Sequence, residues 1–253
     1  MHTPSSSPWP AVIVVAVINL AGGAILTWHY NINLNLRVGL IFMSIILLTW
    51  FYDMYKEMNT GGHNSVSSVN VRFAMVLFIA SEVLFFAGFF WGYFHSCWKP
   101  EEANGAWATE EYGVVVMNPL GLPLQNTLIL LGSGVCCTLA HENLLRGKYS
   151  KAGFYIYITV GLGAFFVACQ AVEYISSGFS GNTSSYGTLF FLLTGFHGLH
   201  VFIGASLLIL AMIRLGGSNF SEEKHVYLEA AAWYWHFVDV VWLGLYLFIY
   251  WYG

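Results

Sequence analysis

The chain has 253 residues, of which 57% are hydrophobic, 18% aromatic and only 9% charged, with a formal net charge of −4 and a mean hydropathy of +0.64. Soluble domains carry about 25% charged residues, so this composition excludes a water-soluble globule. The segments must be solvated by lipid and fold as helices that satisfy their own backbone, giving a polytopic all-α membrane protein.

A helix crossing about 30 Å of hydrocarbon needs about 20 apolar residues, and seven stretches qualify. They are expected at about 10–28, 37–55, 71–98, 124–145, 154–175, 187–214 and 227–250, within one polytopic membrane domain spanning 1–253. The first ten residues are short, polar and proline-rich, with neither the basic start of a secretory signal nor an Arg-rich amphipathic pattern, so direct insertion is expected. Asn31, Asn33 and Asn35 separate the first two spans, and a loop from Lys56 to Asn70 with Gly and Ser punctuation precedes the third. The third span exceeds what a bilayer requires and should tilt or project. The longest polar connection, Lys99 to Pro123, holds Glu101, Glu102, Glu110 and Glu111.

Basic residues near span ends stay on the side of synthesis. Lys56, Arg72, Arg146, Lys148, Lys151, Arg214 and Lys224 fall on the N-terminal side, against only Arg37 and Lys99 opposite. This predicts an inside N-terminus and an outside C-terminus. Cys97, Cys136, Cys137 and Cys169 show no CxxC spacing, so a disulfide framework, zinc site or iron–sulfur site is not expected.

Within the third span stands a carboxylate, Glu82, among Phe78, Phe85, Phe86 and Phe89 at helical spacing. A charge at membrane depth costs roughly 2.5–3.5 kcal/mol even on lenient scales, so a neutral or strongly paired acid is expected there, either functional or merely capped by a neighbouring helix. His197 and His200 share one face of the sixth span, and His236 and Asp239 one face of the seventh. Two readings stand: haem or metal ligands, or groups that hydrogen-bond helices together, with Asp239 orienting His236. Glycines 195, 198 and 204, and the GxxxG of Gly88 and Gly92, are candidates for close helix approach. Glu173, with Gln170 on the same face, reads as an interfacially solvated acid near a span end. Arg72 and Arg214 are either phosphate partners for an anionic phospholipid or plain inside-positive charge. No nucleophile elbow, phosphate-cradling loop, zinc-protease motif or basic nucleic-acid stripe is present, so soluble-enzyme chemistry and nucleic-acid binding are not expected.

Four motifs carry a resemblance. They are Ser7-Pro8-Trp9-Pro10; Ser81-Glu82-Val83-Leu84-Phe85-Phe86 with Gly88-Phe89-Phe90-Trp91; Gly195-Phe196-His197-Gly198-Leu199-His200; and the run from Ala232 through Trp235, His236 and Asp239 to Leu243. Through them nearly the whole chain resembles subunit III of the haem–copper cytochrome c oxidases, especially the mitochondrially encoded form. The resemblance implies two helices and five helices separated by a V-shaped cleft that holds phospholipid. It implies a noncatalytic core subunit with no cofactor of its own, haem and copper residing in partner subunits I and II. It further implies support of the stability and proton uptake of subunit I, oxygen access through the lipid cleft, accessory-subunit contacts, and residence in the mitochondrial inner membrane with the N-terminus on the matrix side. Glu82 matches the family's membrane-buried carboxylate, and His197, His200, His236 and Asp239 its internal polar residues. Trp50, Glu57, His63, Arg72 and Arg214 look like lipid-contacting positions. The loop 99–112 and the segment 215–224 depart from the family's usual form. A proton-coupled transporter or a b-type cytochrome with His197 and His200 as ligands are the alternatives; the internal repeats and broken helices usual in transporters are not evident.

Overall fold

The computed structural model describes residues 7–59, 65–99, 117–216 and 222–252. These form seven α-helices: α1 (Trp9–Tyr30), α2 (Leu34–Asn59), α3 (Ser65–Trp98), α4 (Leu122–Leu145), α5 (Tyr149–Ser176), α6 (Ser185–Gly216) and α7 (Glu222–Leu245), with α7 running into a π-helical turn, Tyr246–Trp251. Each of the seven is long and apolar enough to cross a membrane, and no strand occurs among the described residues. Helix ends extend past the apolar stretches, as at Ser65 and Glu222. Helical hydrogen bonds are local and continue into polar sequence, whereas apolar composition marks only the lipid-embedded part. At 1.5 Å per residue α3 is about 50 Å long, well beyond the hydrocarbon thickness.

The chain divides into two compact units, residues 1–67 and 68–253. The first is a helical hairpin of α1 and α2. Pro10 lies in the first turn of α1, where a missing N–H costs nothing. Asn31 ends that helix in the left-handed conformation (φ 56°), while the Ile32 N–H returns to the Leu26 carbonyl. Gly23 is required here, since a Cβ would sit 2.7 Å from the Leu36 backbone nitrogen. At the opposite end of the hairpin the Trp9 indole N–H donates to Asp53 Oδ2 at 2.8 Å.

In the second unit α4, α5, α6 and α7 pack as an antiparallel ring, α4 against α5 and α7, and α6 against both α5 and α7. The α4–α5 turn closes over Gly147 (φ 71°), with the Lys148 N–H reaching the Asn143 carbonyl at 2.8 Å. Trp235 of α7 is the central core residue. Its ring lies where a Cβ at Gly163 would come within 2.5 Å and one at Gly204 within 3.0 Å. Its indole N–H donates to Ser133 Oγ at 2.9 Å. Trp242 repeats the arrangement one layer away, donating to Thr127 Oγ1 at 3.0 Å and meeting Phe166 edge-on at 4.7 Å. Among the glycines singled out from the sequence, Gly204 makes this kind of close approach. Gly88 and Gly198 face open space within the chain, and Gly92 only brushes Leu189.

The π turn is held from two sides. Tyr93 of α3 donates to the Phe248 carbonyl at 2.6 Å and Tyr186 of α6 to the Ile249 carbonyl at 3.0 Å. Tyr93→Phe and Tyr186→Phe are each expected to weaken this anchoring by about 1 kcal/mol, the net worth of one intramolecular hydrogen bond, read as faster proteolysis of the C-terminal residues.

Candidate functional site

α3 presents Glu82 to α6. Its Oε2 lies 2.7 Å from His200 Nε2, while His200 Nδ1 lies 2.6 Å from the Phe196 carbonyl one turn earlier on α6. A carbonyl only accepts, so Nδ1 carries a proton. That leaves two states for the other nitrogen: a neutral imidazole accepting from a protonated Glu82, or an imidazolium donating to the carboxylate. Both states hold one proton between the two groups and are neutral as a pair, which is the condition for placing an acid at membrane depth. The side chain of His200 is 7% exposed and that of Glu82 22%, so the pair lies at the edge of the five-helix unit with its acid end open.

Aromatic rings surround the His200 end of the pair and lower the local dielectric there. Phe86 meets the His200 ring edge-on at 4.9 Å, Phe85 and Tyr234 stack on it at 6.1 and 6.3 Å, and Phe78 stacks on Tyr234. The helical spacing that puts these phenylalanines beside Glu82 was readable in the sequence, but Tyr234 was not.

His236 and Asp239 form a separate arrangement. His236 Nδ1 is 3.6 Å from Asp239 Oδ2, and its Nε2 is 3.3 Å from Thr138 Oγ1 of α4. A side chain at Gly134 would overlap the Asp239 carboxylate, so that glycine makes room for the acid. The three histidines and two acids singled out in the third, sixth and seventh spans do not form one cluster. Among the described residues no hydrogen bond or ion pair joins Glu82 and His200 to His236 and Asp239. His197 is fully buried against Phe166 at 5.5 Å and Trp242 at 5.2 Å. Thr138→Val should cost about 1 kcal/mol, since the His236 ring keeps Asp239 but loses one partner. Thermal unfolding of the purified chain in detergent checks this.

Ser133, Gly134, Thr138 and Glu229 were missed by sequence reasoning. The signal available was the run of small and hydroxyl residues from Gly132 to Thr138 on α4, which mark a helix that others approach closely.

A family model described as cytochrome c oxidase subunit III matches residues 1–253 of this chain. Proteins described as cytochrome c oxidase subunit 3 from Pelomedusa subrufa and Rattus norvegicus are each 42% identical to it, and that from Dasypus novemcinctus 43%. Each alignment runs over 254 residues and covers 100% of this chain and 97% of the relative. The chain belongs to the cytochrome c oxidase subunit III family.

Arg72 Nε donates to Glu229 Oε2 of α7 at 2.8 Å, and the His225 ring lies 3.9 Å from the same oxygen. The Arg214 guanidinium sits 5.2 Å over the Tyr227 ring. Trp50 is half-buried on α2. Glu57 lies on α2 but its side chain, like all of His63, is outside the described residues. Glu173 corrects the expectation of interfacial solvation. It is 1% exposed, because the end of α5 is covered by the π turn and the start of α6.

Proposed function

We propose that this chain is a noncatalytic core subunit of a terminal respiratory cytochrome c oxidase, embedded in the mitochondrial inner membrane, with haem and copper held by partner subunits I and II. The observation that carries the reading is the family match over the entire chain at 42–43% identity. The donor chemistry supports it. Both ring nitrogens of His200 are engaged, one by the Phe196 carbonyl and one by Glu82, which leaves no lone pair for iron. The b-type cytochrome reading needs that lone pair, so it is disfavoured.

In this role the chain stabilises subunit I, supports its proton uptake, and offers lipid and oxygen access along a phospholipid-filled cleft, with accessory subunits as further partners. The acid–imidazole pair suits such support because it places a polar contact between α3 and α6 without a net charge in the bilayer. Phospholipid headgroups would meet Trp50, Glu57, His63, Arg72 and Arg214. Arg72 does so while already oriented by Glu229, and Arg214 while seated on Tyr227. The excess of Lys and Arg on the N-terminal side supports a matrix N-terminus and an intermembrane-space C-terminus.

The test is the visible spectrum and metal content of the chain separated from its complex. The proposal expects no haem absorption and no stoichiometric copper or iron. A haem band that follows the chain through purification and is lost in His200→Phe would overturn it.

A further inference from the structure

Inside the ring of α4, α5, α6 and α7, one group of polar side chains is buried without the hydrogen bonds it requires. Asn126 of α4, Gln170 and Glu173 of α5, and His197 of α6 are each 5% exposed or less. Both amide atoms of Asn126, both ring nitrogens of His197, Oε1 of Gln170 and both carboxyl oxygens of Glu173 have no partner in the chain. The Tyr250 hydroxyl interacts with the Glu173 carboxyl but falls short of hydrogen-bonding geometry. Nine in ten or more of buried polar groups in proteins are paired with protein or ordered water, so groups with no partner in the chain call for one from outside it.

Asn126 and His197 lie near one level of the ring, and Gln170 and Glu173 follow about one and two turns beyond it on α5. The Thr159 hydroxyl lies 3.4 Å from the Ser133 carbonyl, which sets the register of antiparallel α4 and α5. Two turns back along α4 and two turns on along α5, Asn126 and Phe166 share a level. Phe166 in turn touches His197. Helical side chains lean toward the N-terminus of their own helix. Asn126 and His197 therefore lean toward the end of the bundle where α7 finishes, while Gln170 and Glu173 lean away from it. Further hydroxyls lie beside these residues. Tyr174 bonds Thr194 at 2.6 Å, and Gln170 Nε2 lies 3.5 Å from the Tyr250 oxygen.

The chemistry of the orphans selects the occupant. A neutral imidazole offers one donor and one acceptor, and the Asn126 amide offers two donors and an acceptor. A cation cannot accept these protons and an apolar guest can do neither. We infer that a short file of ordered water molecules lies within the α4–α7 ring, running from Glu173 and Tyr250 to the ring of His197, and completes these hydrogen bonds. Glu173 lies about 10 Å along the axis from the level of Phe166, and the opposed leans of the side chains shorten the distance between their polar atoms, so about one to three waters at ordinary hydrogen-bond spacing suffice. The file is independent of whatever redox chemistry the partners of this chain perform.

The experiment is radiolytic hydroxyl-radical footprinting of the intact membrane complex, read residue by residue by mass spectrometry. Radicals formed from bound water attack the side chains beside it. Tyr250 and His197 should be labelled about tenfold faster than Trp235, which is as deeply buried but has its indole paired with Ser133. Labelling of both at the Trp235 rate overturns the inference. In Asn126→Leu the file should be cut, lowering labelling of His197 about fivefold or more while Tyr250 keeps its rate. Undiminished His197 labelling in that variant contradicts a continuous file, and the wild-type measurement decides the matter even where the variant fails to assemble.

Discussion

Replacing Trp235 with alanine is expected to destabilise the five-helix unit by about 3–5 kcal/mol, the range for deleting a fully buried large aromatic. The expected size follows from how the ring is seated. Its six-membered edge lies against two backbones that approach closely because residues 163 and 204 are glycines, so the surrounding helices have little side-chain volume with which to refill the space. The loss is chiefly one of packing. Ser133 keeps its own bond to the Leu130 carbonyl at 2.6 Å, so removing the indole does not orphan it completely. Gly163→Ala probes the same contact from the other side, since its Cβ would collide with the indole. Thermal unfolding of the chain in mild detergent, or the temperature at which it leaves its complex, measures both. A Trp235→Ala variant as stable as the parent would show that α5, α6 and α7 are held by something other than this ring.

The second large effect is at Glu82. Glu82→Leu leaves the Nε2 of a 7%-exposed His200 without a partner, which should cost about 1–3 kcal/mol. Glu82→Gln should cost less than about 1 kcal/mol, because the amide N–H can donate to the neutral ring and replace the bond. His200→Phe should resemble Glu82→Leu, since it strands the acid. The double variant Glu82→Leu with His200→Phe should recover part of the loss, because replacing both partners by apolar groups removes the orphan. Additive losses in that cycle would mean that the 2.7 Å contact is not a coupled pair.

Much of this was legible in the sequence, for reasons that differ by residue. The seven spans follow from length and apolar composition, which the bilayer imposes on any helix that crosses it. Glu82 stood out because a carboxylate within a phenylalanine-rich run has few inexpensive explanations. Which histidine would pair with it did not. His200 lies 118 residues away, and nothing local distinguishes it from His197, which points into the ring of α4 to α7 and meets Phe166 and Trp242 instead. The difference is one of rotation about α6, and it appears only when α3 is placed beside that helix. The glycines show the same limit. Gly88 and Gly92 have the spacing of a packing motif but face open space or a single leucine, whereas Gly134 and Gly163, in no motif, make the tight approaches. Glu173 misled for a related reason. Proximity to a helix end suggests water, but here that end is roofed by the π turn that Tyr93 and Tyr186 hold in place.

The central claim is that this chain supports an oxidase without taking part in its chemistry, and that Glu82 serves as the acid of a neutral pair. It is tested most directly by following steady-state oxygen consumption and its decay during turnover. The complexes to compare are depleted of this chain by detergent, repleted with the parent chain, or repleted with Glu82→Gln. The expected result is an initial rate near normal in all three, faster inactivation in the depleted complex alone, and full protection by either repleted chain. An initial rate that falls in proportion to depletion would contradict the noncatalytic assignment, and a Glu82→Gln complex with an altered rate or pH dependence would show that the carboxyl exchanges its proton during turnover.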